Sequence, residues 1–202
     1  MTVSRGRRRQ FDTQQVLDMI THAFWRSGYD GTSLADLTSL TGVNPPSLYA
    51  AFGDKRALFF EVVAFYQKTY GAFTVHALGD EPTALRAITR MLREAAVVYT
   101  DPAHPKGCLI ISAANGLTPQ SSEISDVMRE LRTAGRAAIK AKLTADVEAG
   151  ILPADTDTHG LAAFFAAVVQ GMSNQARDGA TREELDQIAT AALKVWPVAV
   201  AA

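Results

Sequence analysis

The sequence predicts an all-α protein, in which an N-terminal three-helix unit carrying a helix-turn-helix joins a larger helical body, about nine helices in total. Three observations predict it. Apolar residues recur at three- and four-residue spacing along most of the chain, and no alternating run bounded by an Asn-Gly or Asp-Gly turn marks a sheet. Between Thr32 and Phe52, two short periodic segments meet at Gly42-Val43 and continue directly into Asn44-Pro45-Pro46, a cap followed by a proline helix start.

The elements follow in order. Asp12 caps the first helix with Gln15 three residues on, and Phe11 and Val16 stand at the positions of a hydrophobic staple. Val16, Met19, Ile20, Ala23 and Phe24 form its inner stripe. The second helix is capped by Thr32 or Ser33, shows an apolar face of Leu34, Leu37 and Leu40, and ends at Gly42, which accepts the left-handed backbone of a sharp turn. Val43 buries the corner. Asn44 caps the third helix, whose first turn tolerates Pro45 and Pro46 because no N–H partner is needed there. Leu48 and Phe52 face inward, leaving Pro46, Ser47, Tyr49 and Ala50 outward, where a recognition helix meets the major groove of duplex DNA. Asp54 caps the fourth helix, which runs from Lys55 past Phe59, Val63 and Tyr66 towards Tyr70 and forms a lever between head and body. Five more helices are expected near Glu81 to Tyr99, Pro105 to Gly116, Ser121 to Ala149, Thr156 to Arg177 and Thr181 to Trp196.

From Phe11 to Val63 the chain resembles the tetracycline-repressor (TetR) family of transcriptional regulators. The resemblance rests on the helix before the motif, GYDGTS at Gly28 to Ser33, the Leu48-Tyr49 pair, Phe52, and GDKRAL at Gly53 to Leu58. Thr38 and Thr41 stand where that family usually has alanine, and Pro46 where it has a small residue. The segment Gly107-Cys108-Leu109-Ile110 resembles the regulatory domain of one subgroup. The resemblance implies a ligand-responsive regulator, a repressor, that binds a palindromic operator as a dimer. It also implies phosphate contacts for Tyr49 and Lys55. Thr32 and Ser33, at a helix N-terminus, suit phosphate through hydroxyl and backbone N–H. Asn44, Pro46 and Ser47 are the candidates for base edges, although none forms the strong bidentate pairs of Arg, Gln or Lys. The Pro46 ring, with Ala50, offers apolar contact to thymine methyls.

Charge supports the division of labour. Residues 1–56 carry seven Lys or Arg against five Asp or Glu, although the whole chain has a net charge of −1. The excess lies in a basic, disordered arm, residues 1–10, where Arg7 and Arg8, flanked by Arg5 and Arg9, suit phosphates or an adjacent minor groove. Residues 11–54 are expected as the DNA-binding domain and 55–202 as the effector-binding and dimerisation domain. No apolar run approaches the roughly 20 residues of a membrane helix, and no apolar segment follows the basic start, so no membrane and a cytoplasmic location are expected. Cys108, the single cysteine, permits no internal disulfide.

In the body, Leu161, Phe164, Val168 and Gly171, with Leu185, Ile188 and Ala192, make two helices apolar on more than one face, which a second copy of the chain would cover. Phe65, Tyr66, Phe73, Met91, Tyr99, Ile111, Met128, Phe165 and Met172 suggest a pocket for an apolar or aromatic effector, oriented by Tyr99 and Asn174. Each is also ordinary core material. Cys108, near Lys106 and His104, reads as a buried inert thiol rather than a sensor, and the spacing of His104, Cys108 and Asp101 matches no zinc motif. No metal and no cofactor are expected. A helical ligand carrier or enzyme containing an incidental helix-turn-helix is the competing reading. No nucleophile elbow, phosphate-cradling Gly loop or paired-carboxylate motif supports it.

Overall fold

Ten α-helices and two 3-10 turns make up residues 12–113 and 117–197, which the computed structural model describes, and no strand is found among them. Phe11 and the arginines of the expected arm, Arg7 and Arg8 included, lie outside the described residues.

Short polar side chains decide where the head's helices begin. Asp12 starts α1 (Thr13–Ser27) by accepting the N–H groups of Gln14 and Gln15 at 3.0 and 3.3 Å. A capping box of Ser33 and Asp36 opens α2 (Leu34–Thr41), and Asn44 accepts the Ser47 N–H at 2.9 Å to open α3 (Pro45–Phe52). Asp54 accepts the Ala57 N–H at 2.7 Å at the start of α4 (Lys55–Lys68). Each such cap contributes about 1 kcal/mol. Gly42, at φ 66°, supplies the left-handed residue that turns α2 into α3.

Two expectations about faces are corrected. In α2 only Leu37 is fully buried, while Leu40 is 45% exposed; a helix this short turns one position squarely inward, and the half-buried Thr41 borders it. In α1 the buried set is Val16, Ile20, Thr21, Phe24 and Trp25, with Met19 and Ala23 at its margins.

Two expectations about helices are corrected as well. The lever stops at Lys68, where Thr69 leaves helical geometry (φ −115°, ψ −91°) and the Gly71 N–H folds back onto the Tyr66 carbonyl; a separate α5 (Ala72–Asp80) follows. The helix expected from Pro105 shrinks to α7 (Leu109–Ser112). Gly107, at φ 78°, donates its N–H to the Tyr99 carbonyl at 3.0 Å, and a Cβ there would stand 2.7 Å from the Ser173 carbonyl oxygen. That turn consumes the residues that would have begun the helix. Between them lies α6 (Ala84–Thr100), and after α7 come α8 (Ser122–Glu148), α9 (Thr158–Arg177) and α10 (Arg182–Ala192), with 3-10 turns at Pro119–Ser121 and Leu193–Val195.

The apolar stripe of α6 explains its central place in the body, packed against α5, α8, α9 and α10. Its first amide is held by the buried carboxylate of Asp146 on α8, which accepts the Ala84 N–H at 2.7 Å. Head and body share one continuous core. At their junction Trp25 of α1 meets Tyr66 of α4 edge-on, ring centres 4.8 Å apart, and His104 stacks on the same indole at 4.7 Å.

Candidate nucleic-acid interface and effector cavity

Packing of α3 against the head divides its residues. Leu48 is buried, Ser47 and Phe52 are half-buried, and Pro46, Tyr49 and Ala50 stand in solvent, Tyr49 at 48% exposure. Asn44 uses its side-chain oxygen as the cap, which leaves the amide nitrogen facing outward on an exposed residue. Thr38 and Thr41 bond back to their own helix, at Ala35 O (2.9 Å) and Leu37 O (2.8 Å), so the unusual hydroxyls are satisfied without leaving α2.

Thr32 is corrected. Its side chain is buried and its hydroxyl donates to the Gly28 carbonyl at 2.8 Å, so it presents no hydroxyl to a phosphate. Ser33 is exposed, but its hydroxyl and N–H both donate to Asp36, at 2.6 and 2.8 Å. These two bonds hold the Asp36 carboxyl below the usual range. Lys55 extends its ammonium over the Tyr29 ring, 4.4 Å from the centre. Burial lowers its pKa, and the charge of Asp30 works against that shift.

Polar ties join this head to the body. The Asp30 carboxylate accepts the Thr118 N–H at 2.7 Å and the Ser121 hydroxyl at 2.6 Å, and Arg56 pairs with Glu123 at 2.6 Å. On the opposite side Tyr70 donates to Asp18 at 2.6 Å, so the 3.0 Å contact of His22 Nε2 with the Tyr70 oxygen is made by an Nε2–H donor. Burial, aided by Asp18, raises the Tyr70 pKa, and burial lowers that of His22.

In the body, α4, α5, α6, α8, α9 and the segment around Cys108 line a cavity of about 400 Å³ that opens to solvent beside the exposed Val75 and Arg136. Among the residues expected there, Tyr66, Phe73, Met91, Tyr99 and Ile111 line it. Phe65, Met128, Phe165, Met172 and Asn174 do not. Met128 and Met172 are wholly buried in the core, Phe165 packs between Phe164 and Trp196, and Asn174 is exposed on α9. Helical spacing alone does not separate a wall from the core behind it. The polar lining was not foreseen: Gln67, Gln170, Cys108, and Arg132 with Arg136, four residues apart on α8. That last spacing was the available signal.

Burial pushes the Cys108 thiol up, and burial followed by the neighbouring thiol raises Tyr66 and Tyr99 well above the ordinary phenol value. The two basic neighbours in sequence are engaged elsewhere, Lys106 at the Thr100 carbonyl and His104 against Trp25. A neutral, unreactive thiol results.

On the outside of α9, Phe164 (38% exposed), Ala167, Val168 and Gly171 share one face, flanked by Gln187, Ile188 and Ala191 of α10. Leu161 is half-buried. Leu185 and Ala192 are corrected: they are buried within the chain itself, because the apolar stripe of α10 turns towards α6. A shallow open groove of about 610 Å³ runs beside this face, lined by Gln175, Glu184, Ile188 and Ala191 among others.

Residues 16–62 match the family described as bacterial regulatory proteins, tetR family, and residues 84–192 match the tetracyclin repressor-like C-terminal domain. The chain is 34% identical over 195 residues to the HTH-type transcriptional repressor ComR of Escherichia coli (strain K12), covering 96% of this chain and 93% of that one. It is 31% identical to the HTH-type transcriptional repressor BdcR of the same strain, covering 93% and 89%. A solved structure of the TetR family transcriptional regulator CifR, a cysteine mutant complexed with 26-base-pair double-strand operator DNA, superposes with a TM-score of 0.90 at 38% identity, covering 95% of this chain and 100% of that one.

Proposed function

The chain belongs to the TetR family of bacterial regulatory proteins, and from that premise we propose a ligand-responsive transcriptional repressor that binds a palindromic operator as a homodimer. An apolar or aromatic effector in the body releases it. The observation that carries the reading is the DNA-bound relative, which shares this fold over nearly the whole chain and is complexed with its operator DNA. No helix among the described residues is long and apolar enough to cross a membrane; the working location is the cytoplasm, and the protein acts as a regulator rather than as an enzyme. The incidental helix-turn-helix reading is not favoured.

The arm of residues 1–10, the head of 11–54 and the body of 55–202 divide the work. Pro46, Ser47 and the Asn44 amide meet base edges in the major groove, with Tyr49 against the phosphates beside them. At the start of α2 the Leu34 and Ala35 amides, rather than the Thr32 hydroxyl, face phosphate, joined by Ser33 once DNA competes for its bonds to Asp36. Lys55 reaches phosphate from the Tyr29 ring. Arg7 and Arg8 add affinity that falls with salt. One α3 reads too few base pairs, whereas two heads about 34–36 Å apart read successive major grooves, so the exposed face of α9 and α10 pairs the chains.

Release requires a ligand that prefers one arrangement of head and body, and a preference of about 1–3 kcal/mol changes operator affinity roughly 5- to 150-fold. Tyr66 stands at the cavity wall and against Trp25, so it links the cavity to the head. The test is a mobility-shift assay on fragments of the protein's own upstream DNA across salt concentrations. Lys55→Ala should weaken binding to every duplex and flatten the salt slope, whereas Ser47→Ala should alter sequence preference. Retention of all duplexes alike, with Lys55→Ala unchanged, would defeat the proposal.

A further inference from the structure

We infer that the cavity receives an amphipathic anion, a carboxylate on an apolar body, held by Arg132 and Arg136; this rests on reading the cavity as the effector site. No Asp or Glu lines the cavity, and both of its formal charges are guanidinium groups. Arg86, Arg90 and Arg93 of α6 each hold a carboxylate, yet neither Arg132 nor Arg136 meets one among the described residues. Arg132 is half-buried and gives one N–H to the Ile110 carbonyl at 3.0 Å, which leaves most of its five donors for another acceptor.

Burial lowers the Arg132 pKa, and the charge of Arg129 adds to the shift, so an arriving anion would restore what the site lacks. Tyr66, Cys108 and Arg132 line the same cavity, which brings a phenol, a thiol and a guanidinium around one space. Phe73, Leu78, Met91, Ile139 and Val169 supply an apolar wall for the rest of the molecule. A cavity of about 400 Å³ lies within the range that encloses a small organic ligand. Size and chemistry together describe a short-chain or aromatic carboxylate better than a neutral hydrocarbon.

Calorimetric titration of the full chain with sodium octanoate, 1-octanol and octylammonium separates charge from length. Octanoate should bind at least about tenfold more tightly than the other two, as expected for a charge-assisted hydrogen bond. In the double variant Arg132→Gln, Arg136→Gln, octanoate binding should weaken by about tenfold or more and octanol binding should not change. Glutamine keeps a donor for Ile110, and an unchanged thermal midpoint of the unliganded variant establishes that it folds. If octanol binds as tightly as octanoate, the cavity reading stands and the anion inference falls. The inference also falls if the double variant binds octanoate like the parent chain. Absence of heat with all three probes overturns both.

Discussion

Asp30→Ala tests whether head and body are tied through the start of α8. The carboxylate spans the junction, accepting the Thr118 N–H at 2.7 Å and the Ser121 hydroxyl at 2.6 Å. Charge-assisted bonds of this length contribute about 1.5–3 kcal/mol each when buried, but Asp30 is partly exposed and solvent screens it. The sum reduces to about 1 kcal/mol. Burial pushes its pKa up, but the Ser121 and Thr118 hydrogen bonds and the charge of Lys55 together outweigh that and leave it below 3.8. A carboxyl with a depressed folded pKa stabilises above its unfolded value and loses the contribution as pH falls through the folded one. Urea unfolding at pH 7 should therefore show Asp30→Ala about 1 kcal/mol less stable, with a smaller loss for Asp30→Asn, and the three proteins should converge in strong acid. Amide exchange at Thr118 should accelerate in Asp30→Ala alone among these variants. Unchanged stability together with unchanged Thr118 exchange would refute the tie.

Other outcomes follow from single residues. Phe164→Glu places a charge on the exposed face of α9, and light scattering should report a monomer with operator affinity lowered at least about a hundredfold, since both half-sites are needed; a stable dimer would put the interface elsewhere. Leu37→Ala empties a fully buried position and should cost about 2–5 kcal/mol, read by urea unfolding followed at the head, and a loss below about 1 kcal/mol would mean the head repacks freely. His22 has its pKa lowered below 6.5, chiefly by burial, with Asp18 opposing and His104 and Arg26 assisting. Its unfolded form takes up a proton that the folded form resists, so stability should fall as pH drops below about 6.5 and level off once the folded group protonates. His22→Gln should flatten that slope in thermal melts between pH 7.5 and 5; an unaltered slope would assign it to another group.

Local rules carried the head because its signals are local. A cap, a glycine turn and a proline start fix where each short helix begins, and these are readable at Asp12, Ser33, Asn44 and Asp54 without knowledge of neighbours. The corrections concern residues whose state depends on partners distant in sequence. Leu40 has the right spacing for burial but no element over it. Thr32 looks like a free phosphate ligand until the turn brings the Gly28 carbonyl within 2.8 Å. Gly107 reads as part of a helix until Tyr99 and Ser173 close on it. Met128, Phe165 and Met172 have the composition of a ligand wall, but which buried side chain borders empty space is set by how α5, α8 and α9 diverge. The four-residue spacing of Arg132 and Arg136 is visible in the sequence, but that both border the cavity is set by the packing of α8 against its neighbours.

Helix α8 joins the head to the cavity. Ser121, just before its first residue, and Glu123 engage the head, while Arg132 and Arg136 reach the cavity some 15–20 Å farther along, at 1.5 Å rise per residue. A rigid helix conveys a tilt at one end to the other. The second connection, Trp25 against Tyr66, is apolar and fully buried, so added salt leaves it intact. The Arg56–Glu123 pair is more than half exposed on both sides and salt screens it. A ligand acting through α8 therefore works against a tie that weakens as ionic strength rises, whereas one acting through Tyr66 works against a tie that does not. Operator binding itself weakens with salt in either case. The informative quantity is thus the ratio of affinities with and without ligand: constant across salt for the aromatic route, and falling towards one for the polar route as salt removes the constraint that the ligand would have had to break.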